Sequence, residues 1–172
     1  MIRDPRDIAV SAYYYHLWTR ERWARAERER LEGHSYQEYL RGIDREEGLS
    51  AEITRLSGNV FRRMAGWDYH RPDYCELRYE DLIADERTWF ERVFRHYGFR
   101  DDAVSEALTI AERLSFSNSS KRNLGEVTEG SHLRSGKPGQ WREEFSERHR
   151  DLFKRLTGDL LIRLGYESDD TW

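Results

Sequence analysis

The chain has 172 residues, of which 36% are charged and 13% aromatic, and it carries a net charge of −4. That length suits one domain with a buried core, the aromatic content argues against disorder, and the acidic balance gives no general attraction for nucleic acid or an anionic membrane. Cys75 is the only cysteine, which excludes an intrachain disulfide and a cysteine-based zinc site.

Helix signals dominate the N-terminal part of the sequence. Asp4-Pro5 combines an N-cap residue with a proline at the first helical position, which predicts a helix that runs through Leu17. The dense mixed charge of residues 19–32 predicts a largely solvated second helix. A capping box that starts at Ser35 predicts the beginning of a third helix.

A long amphipathic helix and a short strand are predicted next. Apolar residues from Leu49 to Met64 recur at steps of four, three, four and four, and Gly66 is placed to end that helix. Residues 75–79 are short and partly apolar, which predicts a strand. Asp85 then opens another helix with aromatic residues on one face.

The C-terminal part combines helices with a long loop. A helix is predicted from Asp101 or Asp102, and two more are predicted between Leu152 and Leu164. Residues 115–140 hold glycines, serines and a proline without a sustained period, and long loops of this kind are often functional. Helices are plentiful and strands nearly absent, as expected of an α/β protein that lacks its first strands.

Two segments carry groups that suit a phosphate. Arg3 precedes a predicted helix N-terminus, where free N–H groups and the helix dipole favour an anion, and Ser11 adds a hydroxyl two turns later. The segment from Arg134 to Trp141 offers glycines for close backbone approach and the charges of Arg134 and Lys137. Taken alone, the first segment is better explained by a capped helix and the second by a solvated loop.

A third segment lies between these two. Tyr79 follows the predicted strand and begins Tyr79-Glu80-Asp81-Leu82, at the strand end where open α/β sheets bind ligands. In isolation it indicates a core tyrosine before a capped helix. Together and in this order, the three segments resemble the cytosolic-type sulfotransferase family, whose members use 3′-phosphoadenosine-5′-phosphosulfate (PAPS). The resemblance implies that Arg3 and Ser11 bind the 3′-phosphate and that Tyr79 contacts the nucleotide.

The same resemblance extends to the long loop. Ser115-Phe116 is similar to the family's Ser-Phe pair, whose aromatic ring stacks on adenine. Arg134, Ser135 and Gly136 open a segment that resembles the family's loop over the 3′-phosphate. Ser135 stands where the family usually has lysine, so one phosphate donor is missing there.

A larger departure concerns the start of the family's domain. Family members begin with a strand, a phosphosulfate-binding loop and a catalytic histidine, all upstream of the Arg…Ser motif that begins here at Arg3. The resemblance therefore implies an N-terminally truncated sulfotransferase domain over residues 1–172, with no catalytic residue of its own and no activity alone. Met1-Ile2 resembles the end of the strand that leads into the motif.

The resemblance implies an α/β, P-loop-like sulfotransferase fold, present here as a mostly helical C-terminal part. The implied cofactor is PAPS or its product adenosine 3′,5′-bisphosphate, and the implied partner is a small-molecule or glycan acceptor hydroxyl. Six scattered histidines give no metal-ligand spacing, so no metal is expected. We expect a cytoplasmic protein, since a lone cysteine suits a reducing compartment and no apolar run approaches the roughly 20 residues that span a bilayer.

Two alternatives remain open. One is a non-catalytic nucleotide-binding or helical interaction module derived from the same fold. The other is a relative of nucleotide kinases, which the lack of a Walker A loop disfavours: Gly136-Lys137 has its upstream glycine one position too far away, and Pro138 stands where serine or threonine is required.

Overall fold

A computed structural model of the chain describes residues 1–115, residue 118 and residues 135–172. These residues divide into two compact units. Unit one contains Met1–Arg3 and the described residues within Asp68–Thr128 and Leu133–Pro138, and unit two contains Asp4–Trp67 and Gly139–Trp172. The single domain expected from the sequence stays a prediction.

The described residues are mainly helical. In chain order the helices are α1 (Pro5–His16), α2 (Arg22–Arg25), α3 (Tyr36–Gly42), α4 (Arg45–Leu56), α5 (Arg62–Gly66), α6 (Tyr79–Ala84), α7 (Glu86–His96), α8 (Asp101–Arg113), α9 (Trp141–Glu144), α10 (Glu147–Thr157) and α11 (Leu160–Arg163). A 3₁₀ turn at Glu29–Leu31 precedes α3, and a π turn at Ser57–Phe61 joins α4 to α5. Helices α6 to α8 belong to unit one and the others to unit two.

The predicted helix starts are confirmed where a side chain caps the backbone. The Asp4 carboxylate accepts from the N–H of Arg6 at 2.9 Å at the start of α1. The Ser35 hydroxyl accepts from the N–H of Glu38 at 3.2 Å, and the Glu38 carboxylate accepts from the N–H of Ser35 at 2.8 Å. Asp85 caps α7 in the same way. These contacts span at most three residues, which is why the sequence alone identifies them.

The helix predicted over residues 19–32 is wrong as a continuous element. Helix α2 has four residues, no side-chain cap, and Ala24 as its one buried residue. Glu32 then takes a left-handed conformation with φ of 54°. Charged residues alone give a helix no apolar stripe to pack, and isolated short helices are marginal in water.

The strand predicted at residues 75–79 is also wrong. Within the described ranges the backbone there forms a single parallel bridge between Ile2 and Arg78. The N–H of Ile2 donates to the carbonyl of Leu77 at 2.7 Å, and the N–H of Tyr79 donates to the carbonyl of Ile2 at 2.8 Å. A strand needs a neighbour along its whole length, and among the described residues this segment has one at Arg78 only. That Met1-Ile2 ends a strand stays a prediction.

The core of unit two is built around α4. Helices α1 and α10 both pack on it, and the larger apolar side chains buried there include Val10, Leu49, Ile53, Phe61 and Phe153. Gly48 is also buried on α4, where a Cβ atom would overlap the ring of Tyr13 on α1. The absent side chain at Gly48 therefore permits the close approach of the two helices.

Replacing Gly48 by alanine is expected to destabilise the protein by about 1–3 kcal/mol, because overpacking of the α1–α4 contact outweighs the higher helix propensity of alanine. Gly42→Ala is the matched control, since Gly42 is also helical and the methyl group of alanine would meet no neighbouring atom within 4 Å there. Urea unfolding would measure both variants. Equal free energies of unfolding for the two variants would contradict this account of the helix contact.

Candidate functional site

Unit one brings three predicted nucleotide-binding residues together. The guanidinium carbon of Arg3 lies 4.5 Å from the centre of the Tyr79 ring, and the Tyr79 hydroxyl donates to the carbonyl of Gly136 at 2.7 Å. The parallel bridge explains the first contact, because it aligns Ile2 with Arg78 and so places the following residue of each segment side by side. Stacking on an aromatic face restricts the guanidinium plane while leaving its N–H groups able to face a ligand.

The turn at Gly136 shows how the loop backbone is shaped. Gly136 has φ of 68°, a left-handed conformation that glycine adopts without the penalty of a side chain. The preceding side chain of Ser135 is buried, and its hydroxyl accepts from the N–H of Lys137 at 3.4 Å. Ser135 is therefore buried within the turn, while the side chain of Lys137 is exposed.

A cavity of about 690 Å³ opens within unit one between α6, α7 and α8. Tyr79 and Ser115, both predicted to lie near the nucleotide, line it together. The remaining walls are mostly apolar and are formed by Leu82, Ile83, Glu86, Phe90, Phe94, Ala107, Ile110, Ala111 and Leu114. An apolar cavity of this size with a few polar groups at its edge suits a flat heterocycle.

In unit two, the start of α1 holds the backbone of Gly139 and Trp141. The buried carboxylate of Asp7 accepts from the N–H of Gly139 at 2.6 Å and from the N–H of Trp141 at 3.0 Å. Ser11, which was predicted as a phosphate ligand, is exposed one turn further along α1. The sequence reasoning missed Asp7, because an acid in the first turn of a helix is ordinarily explained by the helix dipole.

Arg6 is the second buried residue of this segment that the sequence did not reveal. Its guanidinium donates to the Asp4 carboxylate from Nε at 3.0 Å and from Nη2 at 2.7 Å, and it donates to Glu167 from Nη1. The guanidinium carbon lies 3.7 Å from the centre of the Trp141 ring and 4.5 Å from that of Trp172. Arg6 is only 1% exposed, so this cation is almost completely removed from water by its partners.

A further buried charge lies on α4. Glu52 is fully buried, with Oε1 2.6 Å from His16 Nδ1 and Oε2 2.9 Å from Arg55 Nη2. Burial alone raises the pKa of Glu52, but the hydrogen bond and charge of His16, together with Arg55, outweigh burial and hold that pKa below its ordinary value. Burial raises the pKa of the neighbouring Tyr36 hydroxyl, and the charge of Glu52 adds to that effect.

Two of the predicted site residues, Phe116 and Arg134, lie outside the described residues. Among the residues that the structure describes, no group of three or more His, Cys, Asp or Glu side chains is arranged to hold a metal ion. Within the same ranges no helix is long and apolar enough to cross a membrane.

Comparison with known proteins adds an independent observation. A family model described as Sulfotransferase domain matches residues 1–165. The chain is 23% identical to Sulfotransferase 2A6 of Mus musculus over 176 aligned positions, which cover 94% of this chain and 55% of the mouse protein. No solved structure matches the chain significantly. The chain thus spans about half the length of this curated relative, and the match over residues 1–165 shows that it belongs to the sulfotransferase domain family.

Proposed function

We propose that this chain supplies the part of a PAPS-dependent sulfotransferase that binds the 3′-phosphate and the adenine. The carrying observation is that a member of the sulfotransferase domain family holds Arg3, Tyr79 and Gly136 together through a stacked guanidinium and a 2.7 Å hydrogen bond. The fold proposed for the whole domain is α/β and P-loop-like. The Ile2–Arg78 bridge supports it, because it is a parallel pairing.

Arg3 is the proposed ligand of the 3′-phosphate. A guanidinium carries several N–H donors in a fixed plane, so it recognises phosphate oxygens in pairs. The hydroxyl hydrogen of Tyr79 is already donated to Gly136. Tyr79 therefore acts through its ring, which orients Arg3, and through its hold on the Gly136 turn. Ser11, Arg134, Ser135 and Gly136 complete the proposed phosphate ligands.

Adenine is proposed to enter the cavity between α6, α7 and α8. Its apolar walls suit a purine face, and Ser115 at its edge directly precedes Phe116, which remains the predicted stacking residue. Stacking of a base on an aromatic side chain contributes ~1–3 kcal/mol in single-stranded nucleic-acid binders, which indicates the scale.

The proposed reaction transfers a sulfuryl group from PAPS to an acceptor hydroxyl or amine. The acceptor attacks sulfur, the bond between sulfur and the bridging phosphate oxygen breaks, and adenosine 3′,5′-bisphosphate leaves. A base must take the acceptor proton, and we assign that role to no residue of this chain. The proposed acceptor is a small molecule or a glycan, and the proposed location is the cytoplasm.

Calorimetric titration tests the proposal. Adenosine 3′,5′-bisphosphate is expected to bind the chain more tightly than adenosine 5′-monophosphate, and Arg3→Ala is expected to weaken the bisphosphate by roughly 10- to 150-fold, since a hydrogen bond to a charged group contributes ~1.5–3 kcal/mol. Arg20→Ala, which changes an exposed arginine outside the motifs, is the control. Equal affinity of the unsubstituted chain for both nucleotides would overturn the proposed function.

A further inference from the structure

Asp7 makes a contact that an ordinary first-turn acid does not make. Both of its carboxylate oxygens accept a backbone N–H, one from Gly139 and one from Trp141, at 2.6 and 3.0 Å. The side chain is nearly completely buried. The donors lie 132 and 134 residues further along the chain, so this carboxylate joins the start of α1 to a distant segment.

The two N–H groups lie just after Ser135 and Gly136 in the sequence. Trp141 is the first residue of α9, where helical N–H groups lack an acceptor within their own helix. Gln140 precedes it and provides no side-chain cap. Gly139 has φ of 79°, so the turn before α9 also depends on a conformation that few side chains adopt. Asp7 thus caps α9 from outside and fixes the turn that leads into it.

We propose that Asp7 is a positioning residue for recognition of the 3′-phosphate: before nucleotide binds, it orders the backbone of Gly139 and Trp141, which follows the proposed phosphate ligands Ser135 and Gly136 in the same loop segment. This inference rests on the proposed function, because it takes that loop to be a phosphate-binding segment. Asp7 itself touches no nucleotide, since a carboxylate beside a phosphate would repel it. Its contribution is to order the loop in advance, which reduces the entropy lost on binding.

The chemistry of the two contacts requires a carboxylate of this length. Asparagine offers one oxygen and one NH₂ group, so one of the two backbone N–H groups would face a donor and lose its acceptor. Asp7→Asn changes the size of the side chain very little. The substitution therefore removes one anchor of the loop and leaves Arg3, Tyr79 and Gly136 unchanged.

Titration of both nucleotides against Asp7→Asn tests the inference. We expect affinity for adenosine 3′,5′-bisphosphate to fall by about tenfold or more, because the loop loses one hydrogen bond to a charged group. Affinity for adenosine 5′-monophosphate should change by less than about threefold. Asp44→Asn is the matched control, because the Asp44 carboxylate also accepts a backbone N–H, from Glu47 at 2.9 Å, at the start of α4. Equal losses for both nucleotides would overturn the positioning role.

Amide hydrogen exchange on the unsubstituted chain keeps the inference testable if Asp7→Asn does not fold. Without nucleotide, the amides of Gly139 and Trp141 are expected to exchange at least about tenfold more slowly than their random-coil rates, since both are bonded to a buried acceptor. Random-coil rates would overturn the pre-ordered loop. This measurement needs no nucleotide. Slow exchange without any nucleotide binding would therefore contradict the proposed function but not the contacts of Asp7, whereas random-coil exchange would contradict the role of Asp7.

Discussion

Arg6→Ala is expected to lower the free energy of unfolding by about 3–5 kcal/mol, the range seen when one partner of a buried ion pair is removed. The substitution leaves the buried carboxylate of Asp4 without the guanidinium that meets both its oxygens. It also removes the cation between the rings of Trp141 and Trp172 and opens a space there.

Arg142→Ala is the matched control for Arg6. Arg142 also lies near the Trp141 ring, with its guanidinium carbon 4.7 Å from the ring centre, but its side chain is exposed. Its removal should cost less than about 1 kcal/mol, as is usual for an exposed cation on an aromatic ring. Urea unfolding followed by tryptophan fluorescence would measure both. If the two variants lost the same stability, the stabilising role of the buried Arg6 cluster would be refuted.

The second large effect is expected at Glu52, in the form of a pH dependence. The pKa of Glu52 in the folded protein lies below its ordinary value of about 4.3. As the pH falls, Glu52 is therefore protonated in the unfolded chain before it is protonated in the folded protein. The stabilisation by Glu52 is therefore complete above about pH 5 and is lost as the pH falls through the lowered pKa. Glu52→Gln should cost about 3 kcal/mol at pH 6 and reduce the loss of stability on acidification.

Glu47→Gln provides the comparison on the same helix. Glu47 also pairs with an arginine, Arg148, at 2.6 Å, but both side chains are about half exposed. An exposed pair contributes about 1 kcal/mol or less, so this variant should retain the acid-side slope of the stability curve. Urea unfolding at a series of pH values from 3 to 7 would show the difference. An unchanged acid-side slope in Glu52→Gln would mean that another carboxylate controls acid unfolding.

The sequence predicted the helices of this chain best where the decisive contact is local. The caps at Asp4, Ser35 and Asp85 involve neighbours two or three residues away, and all three helix starts were predicted. The strand at residues 75–79 was predicted from composition alone, and it failed because a strand depends on a partner far along the chain. The Ile2–Arg78 bridge is all that the described residues provide.

The same distinction holds for the candidate site. Family resemblance selected Arg3, Tyr79 and Gly136, and the structure brings these three together. It did not select Arg6 or Asp7, although both lie inside the first motif, because their role depends on partners more than 130 residues away. A charged residue at a helix start looks alike in sequence whether it is solvated or buried. Only the fold shows that Arg6 and Asp7 are buried.

The contact between Arg6 and Glu167, separated by 161 residues, also has a consequence for synthesis. The ribosome adds about 5–20 residues per second. Arg6 therefore leaves the ribosome about 8–30 s before Glu167, its partner in the buried ion pair. During that interval Arg6 lacks Glu167 and Asp7 lacks the backbone of Gly139 and Trp141, so the start of α1 reaches its final packing only after residue 167 has been made. The order of synthesis thus makes α1, although it precedes the other described helices in the chain, one of the last of them to be secured.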